Sequence, residues 1–147
     1  MMKVNEDLLE VKEYHEEGYQ PLVSYQDWRV AVLNYCAELL PENIDCMQRH
    51  DQTDEVFVLL QGKCILFLGE GDEEITDIHA QDLKPQKVYN VKRSTWHTHT
   101  LSEDAVVLIV ENDDTSEANS PEKKLTSQQQ EKLVTLTAET WGKEGGN

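Results

Sequence analysis

Positive charge is scarce in this chain, and the scarcity bounds what the protein can touch. Lys and Arg together number 13 against 29 Asp and Glu in 147 residues, a formal net charge of −16. A field of that sign repels phosphate backbones and anionic headgroups, so neither nucleic acid nor a membrane surface is an expected partner. Long apolar runs are missing as well. The longest, Ala105 to Val110, is far too short to cross a bilayer. The opening stretch MMKVNEDLLEVKEYHEEG interleaves charges with single apolar residues and lacks the apolar segment of a secretory signal. The expectation is a soluble, cytoplasmic protein. Cysteine is sparse: Cys36, Cys46 and Cys64 are odd in number, show no C-x-x-C spacing and lie in or beside apolar strand patterns, which reads as buried reduced thiols.

Helix-period stretches are absent from most of the chain, and what stands in their place is strand. The segment WRVAVLNY, ending at Tyr35, is rich in β-branched and aromatic residues. Pro41 to Asn43 break the chain before Ile44 to His50 resumes as an extended segment. Glu55–Leu60 and Lys63–Leu68 read as strands around Gln61-Gly62, a turn that predicts a hairpin. Ile75–His79 and Gln86–Val91 are weaker strand patterns. Trp96–Leu101 and Ala105–Glu111 suggest another pair across Ser102 to Asp104. Short strands without intervening helices predict an antiparallel sandwich or barrel.

The length suits one compact domain. Its parts are expected to be an N-terminal arm over residues 1–22, a β-domain over 23–112, and a linker with a C-terminal helix over 113–147. In that helix Thr126 is placed to cap the N-terminus with Gln129 as its reciprocal partner. Leu133, Leu136, Thr140 and Trp141 form a narrow apolar stripe, suited to the exterior of the barrel or a second subunit rather than to a core of its own. Residues 143–147, KEGGN, are expected to fray.

Chemistry concentrates in QRHDQTDEVFVLLQG, from Gln48 to Gly62. Strand alternation puts Gln48 and His50 on one face, and after a polar turn Glu55 opens the next strand facing them. Imidazole with carboxylate suits a divalent transition metal such as Fe, Mn, Zn or Ni, with the Gln48 amide a weak extra donor.

The spacing resembles the first motif of the cupin superfamily, H-x-H, three or four residues, E, six residues, G. His50, Glu55 and Gly62 fill its slots, and Gln48 stands where the first His would be. The second motif, P-x-G-x-x-H, resembles KRSTWH, which ends at His97 and has Lys92 and Ser94 in place of Pro and Gly. The resemblance covers roughly residues 40 to 112. It implies an all-β fold, a small antiparallel β-barrel or jelly roll followed by the C-terminal α-helix, and self-association as a homodimer through sheet edges. It also implies a metal site of His50, Glu55 and His97, with Gln48 as fourth ligand or substrate contact.

Around such a site His99 shares the inner face with His97, while Trp96 points outward into packing. Phe57 and Phe67 are candidates to narrow the cavity, Tyr35 and Tyr89 to place a hydroxyl in it, and Lys92 with Arg93 to attract an anion at its entrance. His99, Phe57 and Tyr89 are the expected substrate contacts. Two functions follow. One is a metal-binding enzyme of isomerase, lyase or dioxygenase type acting on a small polar or carboxylated metabolite. The other is a non-catalytic domain that holds a small molecule in a barrel with a degenerate metal site.

Overall fold

The computed structural model describes residues 3–145. Among the described residues ten strands build two antiparallel five-stranded sheets that lie face to face. In chain order the strands are β1 (Gly18–Tyr25), β2 (Trp28–Asn34), β3 (Cys46–Gln48), β4 (Glu55–Gln61), β5 (Cys64–Glu70), β6 (Asp77–Asp82), β7 (Tyr89–Val91), β8 (Trp96–Leu101), β9 (Val106–Asn112) and β10 (Glu122–Lys124). A single α-helix, α1 (Ser127–Gly145), follows. The first sheet has the order β1-β2-β9-β4-β7 and the second β10-β3-β8-β5-β6. This is the antiparallel sandwich that the strand pattern predicts and the all-β jelly roll with a C-terminal helix that the resemblance implies.

Pairing differs from the expected hairpins. Gln61-Gly62 does not join two partners, because β4 belongs to the first sheet and β5 to the second; Ser102 to Asp104 likewise carry the chain from β8 to β9 across the sandwich. These turns are corners. Local sequence reads the same for either outcome, since a tight reversal ends a strand without saying which layer receives the next one. The two corners lock together: Lys63 N donates to Ser102 Oγ (2.8 Å), Ser102 N to Lys63 O (2.9 Å) and Gln61 Nε2 to Asp104 O (2.8 Å). Gly62 sits at the crossing with φ of 74°, and a Cβ there would come within 2.6 Å of Ala105 Cα. Glycine is therefore required twice over, by conformation and by space.

Two cores result. Between the sheets, Ala31, Leu33, Phe57, Leu59, Leu66, Val107 and Ile109 interdigitate. On the outer face of the second sheet, Met47, Ile65, Phe67, Ile78 and Trp96 pack with Leu133 of α1, flanked by Leu136 and Trp141. Phe67 thus leaves the cavity to which the sequence reading assigned it. Alternation along β5 sends Cys64 and Leu66 inward and Ile65 and Phe67 beneath the helix.

The helix buries more than its narrow stripe suggests, because the sheet supplies most of the apolar surface and Leu133 is wholly enclosed. Its start follows expectation: Gln129 N donates to Thr126 Oγ1 (3.1 Å), and Thr126 N to Gln129 Oε1 (3.0 Å). Of the tail expected to fray, the helix runs to Gly145 and residues 146–147 lie outside the described residues.

Boundaries shift at both ends of the β-domain. The arm gives way to β1 at Gly18, which pairs with β2 despite Pro21, as an edge strand tolerates proline. The presumed linker contributes β10, paired to β3. Cys36, Cys46 and Cys64 are free thiols, and burial pushes Cys64 up to about 12.

Candidate functional site

Six strands and two loops converge on one hollow. His50 follows β3, Glu55 opens β4, His97 is the second residue of β8, and Gln48 pairs in register with His97. The expected hairpin mouth is replaced by a meeting across layers, for the imidazoles come from the second sheet and Glu55 from the first. His97 Nε2 lies 2.9 Å and His50 Nε2 3.2 Å from the same oxygen, Glu55 Oε1. All three side chains are buried, and their donor atoms lie within 4.8 Å of one another.

The far side of each ring is tied off. His97 Nδ1 donates to Thr95 O (2.9 Å), and His50 Nδ1 pairs with Ser120 Oγ (2.7 Å). A His97 that donates through Nδ1 presents, when neutral, a bare lone pair at Nε2. A lone pair facing a carboxylate oxygen at 2.9 Å is repulsive unless a proton or a cation lies between them. Two donors at right angles around an ion with bonds of about 2.1 Å would be roughly 3.0 Å apart, close to the spacing found. The residues present therefore fit a divalent transition metal. Gln48 also lines the hollow and contributes an amide to its rim. Ser94, in the slot where the resembled motif has Gly, keeps the left-handed backbone with φ of 64°, and its hydroxyl donates to Asp51 Oδ1 (2.8 Å).

A second carboxyl completes the hollow. Glu111, on the inward face of β9, has Oε1 accepting from Tyr19 OH (2.7 Å) and Arg29 Nη2 (2.9 Å), while Oε2 is buried without a hydrogen bond and stands 3.9 Å from His50 Nε2. Arg29 also donates to the carbonyls of Asp113 and Thr115, pinning the loop after β9. The cavity, of about 420 Å³, is bounded by these groups, by Leu33 and Ile109 on its apolar side, and by the segment 115–117 with Ser120.

Electrostatics separate the two carboxyls. Burial raises Glu55, but the hydrogen bonds of His50 and His97 and the charge of His97 outweigh it and hold the carboxyl well below its usual range. Burial and the neighbouring Glu55 push Glu111 upward, against the hydrogen bonds of Tyr19 and Arg29. Burial would lower His97, yet bonding to Glu55 leaves it raised.

The expected substrate contacts divide. His99 lines the cavity, its Nδ1 buried and without a partner. Phe57 is wholly enclosed behind the imidazoles, its ring 6.3 Å from that of His97 and 5.8 Å from that of His99. Tyr89 is placed elsewhere: its hydroxyl accepts from Lys84 N (3.0 Å), and with Lys92 it borders a separate crevice. β7 is an edge strand on the far side of the first sheet, so neither residue reaches the hollow. Arg93 is held through its backbone by Asp54, and Tyr35 borders another crevice beside residues 15–17.

Glu111, Arg29, Tyr19 and Ser120 are the site residues that sequence reading missed. Glu111 carried a signal, an acid in register with Val107 and Ile109 on an otherwise aliphatic inward face. Ser120 carried none, because nothing local shows that the turn-rich stretch folds back over His50.

Burial pushes His99 down to about 4, against the charge of Glu55 and with that of His97. The folded protein keeps this ring neutral, whereas the unfolded chain protonates near the ordinary imidazole value of about 6.5. Stability from His99 is therefore complete above about pH 6.5 and lost as pH falls toward 4. In metal-free protein, His99→Gln is expected to flatten that decline by about 1–2 kcal/mol, read from urea unfolding at pH 7 and pH 4.5.

No family model matches this chain, and no curated protein matches it in sequence. Solved structures share its architecture, which is that of the cupin-type jelly roll. Pac13 of Streptomyces, described as a nucleoside dehydratase and also seen with uridine, superposes with a TM-score of 0.53 at 10% identity over 80% of this chain and 88% of its own. A variant of the QdtA 3,4-ketoisomerase from Thermoanaerobacterium thermosaccharolyticum, in complex with TDP, gives 0.50 at 16% identity over 63% and 64%. BH2720 from Bacillus halodurans gives 0.51 at 10% over 69% and 74%. At these identities the likeness is one of fold.

Proposed function

We propose that this protein is a small cupin-type enzyme in which His50, Glu55 and His97 hold a divalent transition metal beside a cavity that takes a small polar or carboxylated metabolite. The observation that carries the reading is the convergence of two Nδ1-anchored imidazoles on one buried carboxylate oxygen. A bound metal would supply Lewis acidity toward a substrate oxygen.

The chain's own groups supply the rest. Tyr19 and Arg29 occupy one oxygen of Glu111 and leave the other turned toward the reacting space. With Glu55 committed to the metal, Glu111 is the carboxyl of the hollow left to give or take a proton, its Oε2 3.9 Å from His50 Nε2. A positioned carboxyl beside a Lewis acid suits isomerase or lyase chemistry, in which a proton leaves carbon and another is delivered to or taken from oxygen. A dehydratase and a ketoisomerase, the activities named for two of the structural neighbours, are reactions of this type. Gln48 and His99 flank the cavity as substrate contacts, and Leu33 with Ile109 exclude water from one side.

The second reading is a binding domain without catalysis, and the amide of Gln48 in the first ligand slot favours it, since an amide oxygen is a weaker donor than a ring nitrogen. Protein purified without chelator separates the two. Expected for the enzyme are bound transition metal by elemental analysis and a melting temperature that climbs with added metal. No retained metal, no response to added metal, and stabilisation by small acids or sugars alone would establish the binding domain.

A further inference from the structure

We propose that the hollow selects an uncharged polyhydroxylated molecule about the size of a monosaccharide, held by three buried polar atoms that the fold leaves without partners, and discriminates against phosphorylated and carboxylated ligands. The inference deepens the reading of the hollow as a substrate site and rests on it.

Buried polar atoms in a folded protein are nearly always hydrogen-bonded, so those that are not mark places where another molecule supplies the bond. Among the described residues three such atoms belong to side chains that line this one cavity: His99 Nδ1, Glu111 Oε2 and Thr115 Oγ1. They come from β8, from β9 and from the loop after β9. The Glu111 side chain is only 3% exposed, and Tyr19 and Arg29 fix it through its other oxygen. Thr115 is fixed as well. Arg29 Nη2 donates to its carbonyl (3.2 Å), and beside it Ser116 N donates to Asn119 Oδ1 (3.0 Å) and Asn119 Nδ2 to Asp114 O (3.1 Å). The three groups are thus presented by a wall already held in place, as a selective site requires.

A metal can hold one oxygen of a ligand; the wall decides what the rest of that ligand is. A carboxylate oxygen accepts hydrogen bonds, a threonine hydroxyl donates or accepts, and a neutral imidazole nitrogen does one or the other according to its tautomer. Neighbouring hydroxyls, each donor and acceptor at once, answer all three. Carboxylate and ionised phosphate oxygens only accept, and would set acceptor against acceptor at Glu111 Oε2.

Charge points the same way. Among the described residues Arg29 is the only Lys or Arg that lines the cavity. Its Nε donates to Tyr19 OH (3.1 Å), its Nη1 to Asp113 O (3.0 Å), and its Nη2 to Glu111 and Thr115. The mouth adds acid, because the lining segment 115–117 ends in Glu117 and follows Asp113 and Asp114, so the field at the entrance repels anions. An ammonium gains little in turn, since Arg29 already matches the charge of Glu111 at 2.9 Å and the incoming cation gives up its water. A volume of about 420 Å³ lies in the lower part of the range for small-molecule sites, and Leu33 with Ile109 offer an apolar side to the C–H face of a sugar-like ring.

Calorimetric titration of the full chain, as purified and again after chelation, tests the proposal. The probes are D-ribose, D-glucose and myo-inositol, each beside its monophosphate, with D-gluconate and D-glucosamine as further charged counterparts of glucose. The expected result is that at least one uncharged polyol binds and that its charged counterparts bind at least about tenfold more weakly. Thr115→Val, which removes the hydroxyl, should weaken that binding by about tenfold, the loss of one buried hydrogen bond. Thr115→Ser should restore it, and bound metal should be the same in both variants. Circular dichroism verifies that each is folded. A charged counterpart that binds as tightly as its parent, no uncharged polyol bound at about 20 mM, or affinity unchanged in folded Thr115→Val would overturn the assignment. The two readings fail separately. Metal-loaded protein that prefers the anions sinks this inference alone, whereas protein that holds no metal yet selects the uncharged polyols supports it and sinks the metal site.

Discussion

Replacing Glu55 by alanine is expected to raise the dissociation constant for a divalent transition metal by at least about a hundredfold, roughly 3 kcal/mol. Glu55 is the sole carboxylate of the His50–Glu55–His97 triad, and it lies against both imidazoles through one oxygen. Without it, two rings and an amide remain as donors, and the other carboxyl of the hollow, Glu111, is already engaged by Tyr19 and Arg29. Competition against a coloured chelator measures the change. Retention of wild-type affinity would remove Glu55 from the ligand set.

The same substitution changes the metal-free protein in a way that fixes the sign of its pH dependence. The depressed Glu55 carboxyl contributes stability that is present above the ordinary carboxylate range and lost as pH falls through its folded value. The raised His97 contributes stability that is present below the ordinary imidazole value and lost as pH rises through its own folded value. Both contributions coexist between those ranges, so the chelated wild type should be most favoured by this pair in mildly acidic solution. Glu55→Ala should flatten both limbs and cost about 3 kcal/mol between them, the usual loss when one partner of a buried pair is removed. Urea titrations from pH 3 to pH 9 after chelation report it.

The largest effect on stability is expected from Phe67→Ala, at about 3–5 kcal/mol. Phe67 is wholly buried in the cluster that joins the second sheet to α1, together with Met47, Ile65 and Leu133. Removing its ring leaves a cavity between a rigid sheet and a helix also held by Gln129 Nε2 to Ile75 O (3.0 Å) and Trp141 Nε1 to Asp82 Oδ1 (3.3 Å). Calorimetric or urea unfolding of the variant gives the number. A loss below about 1 kcal/mol would mean that the helix rests on the sheet without sharing a core with it.

Phe67 also shows why the sequence was only partly legible. Alternation along KCILFL marks two faces but does not say which is inner, because both are apolar; the second apolar face is explained only once the helix is known to cover it. Most strands and the helix cap were readable because each rests on neighbours in sequence, β-branched runs in the first case and Thr126 with Gln129 in the second; β1 and β10 were not, because they begin in a polar arm and a turn-rich stretch. The layer of each strand was not readable, since a turn such as Gln61-Gly62 serves a hairpin and a corner alike. For the hollow, the spacing of His50, Glu55 and His97 carried enough information to name three groups that do meet. Tyr89 was misplaced because its strand faces inward at the opposite margin of the first sheet. Arg29 and Tyr19 are local surface residues by every nearby signal, and only the pairing of β1, β2 and β9 turns them toward Glu111.

The donors of the proposed metal site straddle the sandwich: His50, His97 and Gln48 belong to one layer, Glu55 to the other. An ion seated among them would act as a rivet through both plates. Loading it should slow amide exchange on both sides together, and chelation should release both together, although no strand of one plate is hydrogen-bonded into the ladder of the other.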